Sequence, residues 1–293
     1  MGGIELRAGG WHALIDAQLG GSVLQLSHAG EPVLRPSIPE ELRRSGVRAS
    51  ACYPLVPFAN RIGYGRMSVA GKDYLLRANF PPEPHAIHGI GWQRRWHVSM
   101  QAPSMAELML SYGGDSPREW PFAFDARQRF ELTPGGLQIM LTLVNRDSTA
   151  WPAGIGLHPY LPVCPGQTLQ FESDGAWQNR PDRLPGACVA GSEWDFSTPK
   201  LAGQLDLDHD FRHWRGWVRI GGGPAGTVCI AATDTFPVLR VFTPPGRGFL
   251  AVEPVSHAAD AVNRAWEEGA GYRLLAPGEA LTGRVSIGLE DRA

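Results

Sequence analysis

The chain has no apolar run approaching the roughly 18 residues that a membrane-spanning helix needs. Its 293 residues include only four cysteines, Cys52, Cys164, Cys188 and Cys229, with no C-x-x-C pair among them. A disulfide framework or a thiolate zinc site is therefore not expected, and the thiols read as small buried hydrophobes in a reducing cytoplasm. An excess of one charge is missing too, since 27 Lys and Arg stand against 29 Asp and Glu. That balance argues against the basic footprint of a nucleic-acid or membrane-surface binder, and a small neutral molecule is the better expected partner. The opening Met1-Gly2-Gly3-Ile4-Glu5-Leu6 has no basic segment feeding an apolar stretch and no Ser or Thr at position six. Neither a secretion signal nor a lipid anchor is read there. Three familiar signatures are also absent: the G-x-x-x-x-G-K-[ST] phosphate loop, the G-x-G-x-x-G turn opening a helix, and the G-x-S-x-G nucleophile elbow.

Glycine (36) and proline (25), by contrast, are abundant, and both weaken helix interiors. The segment Leu137, Ile139, Leu141, Leu143 alternates with Gln138, Met140 and Thr142 and then meets the turn Asn145-Arg146-Asp147-Ser148, the pattern of a half-buried strand. Similar runs lie at Trp11 to Leu26, Met67 to Leu76 across Ala70-Gly71-Lys72, Glu107 to Ser111, Thr227 to Thr233, Val238 to Phe242 and Leu281 to Leu289. Helical pattern is confined to Pro39 to Arg44 and Ala258 to Glu268. Many short strands without strand–helix alternation predict an all-β antiparallel sandwich. One domain over residues 1–293 is expected, because the alternative boundary near Pro181 to Gly191 is neither long nor polar enough for a linker.

Five clusters carry side chains capable of chemistry. In Pro57-Phe58-Ala59-Asn60-Arg61-Ile62-Gly63, an amide beside a guanidinium can grip several hydroxyls, or the Arg can simply pair with a surface carboxylate. Pro84-His85-Ala86-Ile87-His88-Gly89 places two histidines on a loop, for structure or for substrate contact. A zinc site needs three or four protein ligands, and only Glu83 lies nearby. In Gly156-Leu157-His158-Pro159-Tyr160, the following proline holds His158 extended at a strand end, and its imidazole can exchange a proton near neutrality. Leu207-Asp208-His209-Asp210-Phe211 is either an acidic turn or a strand with both carboxylates on one face. Glu253, in Val252-Glu253-Pro254, emerges from an apolar strand, where partial desolvation makes a carboxylate a better base, or it is an ion-paired strand terminus.

Taken in order, Asn60-Arg61-Ile62, His88-Gly89, His158-Pro159-Tyr160, Asp208-His209-Asp210-Phe211 and Glu253-Pro254 resemble the motifs of the aldose 1-epimerase (galactose mutarotase) family over roughly residues 10 to 290. Leu161-Pro162, Pro254 and Ala258 depart from the best-known galactose enzymes and bring the chain nearer a broad bacterial subgroup of undefined sugar specificity. The resemblance implies a galactose mutarotase-like β-supersandwich. It implies Glu253 as the base on the C1 hydroxyl, His158 as the acid on the ring oxygen, and His88 as a hydrogen-bonding partner of the opened ring. Arg61, Asp208 and more weakly Asn60 are implied as the grip on other hydroxyls, and no metal, nucleotide or redox cofactor is called for. A hexose-6-phosphate 1-epimerase is the alternative, with Arg94 and Arg95 as candidate phosphate contacts. A non-catalytic sugar-binding protein on the same scaffold is a third reading.

Overall fold

The computed structural model describes residues 3–290, and its regular structure is almost wholly antiparallel strand. A nine-stranded sheet runs, in spatial order, His97–Ala102, Met105–Tyr112, Phe124–Thr133, Gly136–Asn145, Ala280–Leu289, Gly226–Ala232, Trp217–Gly223, Thr168–Phe171 and Lys200–Leu201. Leu137, Ile139, Leu141 and Leu143 are buried, while the residues between them are only half-buried, as the period-two reading required. Opposite this sheet runs a second one, ordered Pro185–Val189, Ala176–Asn179, Asp208–Arg212, Val238–Phe242, Phe249–Val255, Gly156–Leu157 and Pro54–Leu55. Tyr160–Pro162 pairs beside it on Phe249–Val255. A smaller four-stranded sheet of Ile4–Ala8, Trp11–Asp16, Ser22–His28 and Glu31–Pro32 packs on the strands Met105–Tyr112 and Phe124–Thr133.

The second sheet is buried on both faces, and this places the site. Phe211, Leu239, Val241, Leu250 and Val252 point into the main core shared with the nine-stranded sheet. Their alternate neighbours Val238, Ala251 and Val255 point the other way, into a smaller cluster with Tyr53, Trp92, Tyr160 and Trp177. Asp208, Asp210, Arg240 and Glu253 belong to that second face, because side chains two apart on a strand share a side.

The Met67 to Leu76 run is the hairpin Arg66–Val69 and Lys72–Leu75, turning through Ala70 and Gly71 with φ of 51° and 77°. Pro39 to Arg44 is helical as expected, over Pro39–Ser45, with Pro39 in the first turn, Glu40 and Glu41 beside it and Arg43 and Arg44 at the end. Ala258 to Glu268 is not a helix and holds only the 3-10 turn Ala261–Asn263. Asp260 is left-handed, with φ of 56°, and the amides after it bond three residues back, Ala261 to Ala258, Asn263 to Asp260 and Arg264 to Ala261, so no i to i+4 ladder forms. The cysteine expectation also needs correction, since only Cys52 is buried; Cys164 and Cys229 are intermediate and Cys188 is exposed. Pro181 to Gly191 supplies the edge strand Pro185–Val189. Among the described residues no helix is long and apolar enough to cross a membrane.

Leu141 is fully buried at the centre of the main core, far in the fold from the second face of the other sheet. Leu141→Ala is expected to cost about 2–5 kcal/mol. It should appear as a lower urea midpoint with an unchanged slope, and turnover at temperatures where the variant stays folded should be unaltered.

Candidate active site

Strand register assembles the site. Trp177, Asp210, Arg240 and Glu253 sit directly opposite one another across four adjacent strands, forming one row on one face. The next row is Asp208, Phe242, Ala251 and Tyr160. His158 follows the strand Gly156–Leu157, and its N–H donates to the Tyr53 carbonyl at 3.0 Å, which fixes the backbone against the sheet. Its ring packs against both Tyr53 and Tyr160, with centroids 4.7 and 4.4 Å away. From there Nε2 stands 3.2 Å from Glu253 Oε1. The two side chains are 6% and 2% exposed, so the contact is all but removed from bulk water.

Two loops close the other side. His88 has φ of 61°, and Gly89 after it has φ of 66° with its Cα pressed on Val56, where a Cβ would meet the Val56 oxygen at 2.0 Å. The Asn60 N–H donates to His88 Nδ1 at 3.1 Å, and the His88 N–H returns a bond to the Asn60 carbonyl at 2.8 Å. Nδ1 being an acceptor, the neutral ring carries its hydrogen on Nε2 and presents a donor to the cavity. Burial holds His88 well below the usual imidazole range, so neutral is its resting state. Arg61 donates from Nε and one terminal nitrogen to both oxygens of Glu83, at 3.2 and 3.1 Å, and from the other to Asn60 Oδ1 at 3.2 Å. Asp208 lies 3.6 Å away, leaving few of the five guanidinium hydrogens free for a ligand.

Arg240 is 2% exposed and spans both carboxylates of the Asp208–Arg212 strand, meeting Asp210 at 3.0 Å and Asp208 in a close ion pair. Burial alone favours protonating Asp208, but Arg240 and then Arg61 outweigh it and hold that carboxyl below its ordinary range. Asp210 is further tied by the Ala259 N–H at 2.7 Å. A cavity of about 110 Å³ opens among Arg61, His88, His158, Asp208, Arg240 and Glu253, with Phe80, Phe242 and Tyr53 on its walls. At about 10–15 Å³ per water it has room for roughly ten waters, which the hydroxyls of one small polar ligand can replace.

The charge count in this cavity is informative. Arg61, Arg183 and Arg240 face Glu83, Asp208, Asp210 and Glu253, three cations against four carboxylates. One proton held by the Glu253–His158 pair brings the cluster to neutrality. Burial pushes Glu253 up to about 8, against the pull of Arg240, and pushes His158 down to about 3. The two titrate as one unit, and between those limits the unit holds a single proton.

His88, His158 and Glu253 also bring three ligand atoms within 4.8 Å of one another. A metal-bound imidazole keeps its second nitrogen as a donor. His88 has the reverse arrangement, with Nδ1 filled by a backbone N–H, so the trio does not suit a metal ion. The other histidine of that loop, His85, accepts the Tyr64 N–H on Nδ1 and donates from Nε2 to the Asp182 carbonyl, a structural role outside the cavity.

All six residues singled out in the sequence, Asn60, Arg61, His88, His158, Asp208 and Glu253, line this one cavity. Arg94 and Arg95 do not; Arg94 pairs with Glu119 instead. Asp208 and Asp210 are on a strand rather than a solvated turn. The partner of Arg61 is Glu83, which is 8% exposed and not a surface carboxylate. Arg240 escaped the sequence reading, although a lone charge in Val-Leu-Arg-Val-Phe, where every neighbour is apolar, is a signal for it. Tyr53 and Tyr160 were hidden among ordinary core aromatics. Among the described residues no tryptophan lines the cavity wall, and Trp92 packs behind Tyr53 and Phe80.

The family model described as aldose 1-epimerase matches residues 4–288. The chain is 31% identical over 270 residues to the uncharacterized protein YphB of Escherichia coli K12, covering 88% of this chain and 89% of that one. A crystal structure from Escherichia coli K12, provisionally assigned as an aldose 1-epimerase, superposes with a TM-score of 0.88 at 27% identity, covering 99% of both chains. A galactose mutarotase-like protein of Clostridium acetobutylicum gives a TM-score of 0.86 at 19% identity over 98% of this chain and 95% of that one, a likeness of fold. The fold is thus the galactose mutarotase-like one that the motifs implied.

The buried carboxyl has a consequence for stability. A carboxyl raised from 4.5 to about 8 on folding stays protonated in the native state while the unfolded chain ionises. Its contribution is therefore intact below pH 4.5 and is lost as pH climbs through 8. Glu253→Gln should stabilise the protein by about 1–3 kcal/mol at pH 8 and by close to nothing at pH 4. Melting temperatures across that range measure it, and a gain that is the same at both ends would contradict the assignment.

Proposed function

The chain belongs to the aldose 1-epimerase family, and from that premise we propose that it interconverts the α and β anomers of an uncharged aldose by acid–base ring opening. The observation that carries this reading is the 3.2 Å contact between Glu253 and His158 at the wall of a polar cavity. In a cyclic hemiacetal the C1 hydroxyl and the ring oxygen are bonded to the same carbon. The groups that exchange protons with them can therefore stand close together on one side of the sugar.

Glu253 Oε2 has no hydrogen-bond partner and is free to accept the C1 hydroxyl. In the ion-pair form of the unit, Glu253 takes the C1 hydroxyl proton while His158 gives its proton to the ring oxygen, and the C1–O5 bond breaks. The aldehyde turns about C1–C2, and both transfers reverse on the opposite face. The pair ends with the single proton it began with. His88 Nε2–H donates to the ring-oxygen side of the opened sugar, while Asp208 and the remaining hydrogens of Arg61 take other hydroxyls, with Asn60 positioning Arg61. Each proton-transfer group of this kind is worth about 10²–10⁴-fold.

Two other readings are less well supported. A hexose 6-phosphate needs a free cation, yet Arg61 and Arg183 are both paired to Glu83, and Arg94 and Arg95 are off the cavity. A non-catalytic sugar binder has no use for a buried carboxyl with an unpartnered oxygen, which costs stability without adding to the grip.

Polarimetry on freshly dissolved α-glucose and α-galactose tests the proposal. Wild type should speed the relaxation, and Glu253→Gln or His158→Asn should lower kcat by about 10²–10⁴-fold. Corrected for the uncatalysed rate, kcat/KM should be flat through neutrality and fall as pH rises through about 8, where the pair gives up its proton. Undiminished activity in Glu253→Gln would refute the assignment of the base.

A further inference from the structure

Arg240 stands between the carboxylates that grip the sugar and the pair that moves the protons. It is directly opposite Asp210 on one side and Glu253 on the other, in a row of antiparallel strands where facing Cβ atoms are about 4.5–5.5 Å apart. One terminal nitrogen meets Asp210 Oδ1 at 3.0 Å, and the other reaches the Asp208 carboxylate and, at 3.2 Å, its carbonyl. At 2% exposure this charge is largely removed from bulk water. Its hydrogen bonds all go to the two aspartates, so Glu253 feels Arg240 through space.

We propose that Arg240 is a positioning residue with two actions: its forked grip aims Asp208 at the sugar, and its charge sets the pH range over which Glu253 and His158 share one proton. The proposal rests on the 1-epimerase reading of that pair. The other groups facing Glu253 are Asp208 and Asp210 from the Asp208–Arg212 strand, His158 and Tyr160 from the segment beyond Gly156–Leu157, Cys52 and Tyr53 before Pro54, and Arg61 and His88 from the two loops. Asp208 and Asp210 carry the carboxyl's own sign, His158, Tyr160, Cys52, Tyr53 and His88 are neutral in their resting forms, and only Arg61 is a second fixed cation beside Glu253, while His158 also faces Arg35, which lies over the Tyr160 ring. Arg61 acts more weakly on Glu253 than Arg240 does and is itself spent on Glu83. Without Arg240, Asp208, Asp210 and Glu253 would crowd three carboxyls onto one face with no cation between them.

The fork explains why this position holds Arg. A lysine ammonium is a point charge on a flexible stem and cannot hold two carboxylates in a fixed plane. Arg240→Lys should therefore keep the pH profile and lose the aim, whereas Arg240→Gln loses both.

The test is the pH dependence of kcat/KM for wild type, Arg240→Gln and Arg240→Lys, with melting curves to establish that each variant is folded. In Arg240→Gln both limbs of the profile should move to higher pH by about 1–3 units, the shift that an opposite charge within about 4–6 Å supplies. In Arg240→Lys the limbs should stay in place while KM rises several-fold with kcat little changed. A folded Arg240→Gln whose activity drops equally at every pH overturns the electrostatic part. If Arg240→Gln does not fold, Arg240→Lys decides: limbs that move, or a kcat that falls with KM unchanged, overturn the proposal. The carboxyl NMR resonance of Glu253 in isotope-labelled protein, identified by its absence in Glu253→Gln, reads the same shift without turnover. Inactive wild type would sink the 1-epimerase reading, while an unmoved Glu253 resonance in Arg240→Gln would sink this one.

Discussion

Burying a carboxyl against an imidazole is unfavourable unless the surroundings hold both in place, and the structure is organised around that constraint. Glu253 and His158 meet where a sheet is covered on its second face by a small cluster of aromatic and aliphatic side chains. Desolvation drives each toward its neutral form, the carboxyl up and the imidazole down. Those opposed shifts give a pair that carries one proton across the neutral range, with the proton free to change sides over a single hydrogen bond. A surface pair of the same residues would titrate near ordinary values and have no such latitude.

The surrounding polar residues extend the same logic outward. Asp208, Asp210, Arg240, Arg61, Asn60 and Glu83 are linked by hydrogen bonds or ion pairs into one network. In a low-dielectric site a satisfied network is rigid, because each member that moves leaves another unpaired. The cost of the buried charges is offset within the network, and few donors are left over. The free hydrogens of Arg61, the Nε2–H of His88 and the open lone pairs of Glu253 and Asp208 are then the functional surface, a short set that suits the several hydroxyls of a single sugar ring.

Much of this was legible in the sequence because strands report their own faces. The alternation around Leu141 and the Ala70-Gly71 turn follow from period-two burial and left-handed turn residues, and both appear as expected. The six candidate residues gather in one cavity because Asp208 and Glu253 share the second face of their sheet, His158 follows a strand end beside them, and Asn60, Arg61 and His88 come from the segments that close over that face. The misreadings have physical causes as well. Ala258 to Glu268 has helical composition, but Asp260 takes a left-handed conformation while its N–H bonds to Arg61, a distant partner that no local pattern reveals. Arg240 lies inside a run that reads as plain core strand, and the charges that justify it come from strands far away in sequence. Glu83 sits on a proline-rich loop that reads as exposed, yet it closes over Arg61.

The placement of the Ala280–Leu289 strand bears on how such a chain acquires its shape. This strand lies in the middle of the nine-stranded sheet, paired with Gly136–Asn145 on one side and Gly226–Ala232 on the other. Both neighbours are synthesised earlier and present open edges until it arrives. Long-range pairing of this kind closes a large loop before any contact rewards it, so it is slow, and unpaired edges meanwhile invite association with other chains. The sheet is completed from the inside, by a strand that follows both of its neighbours in sequence, so a nascent chain on the ribosome cannot finish the main core until that strand has emerged.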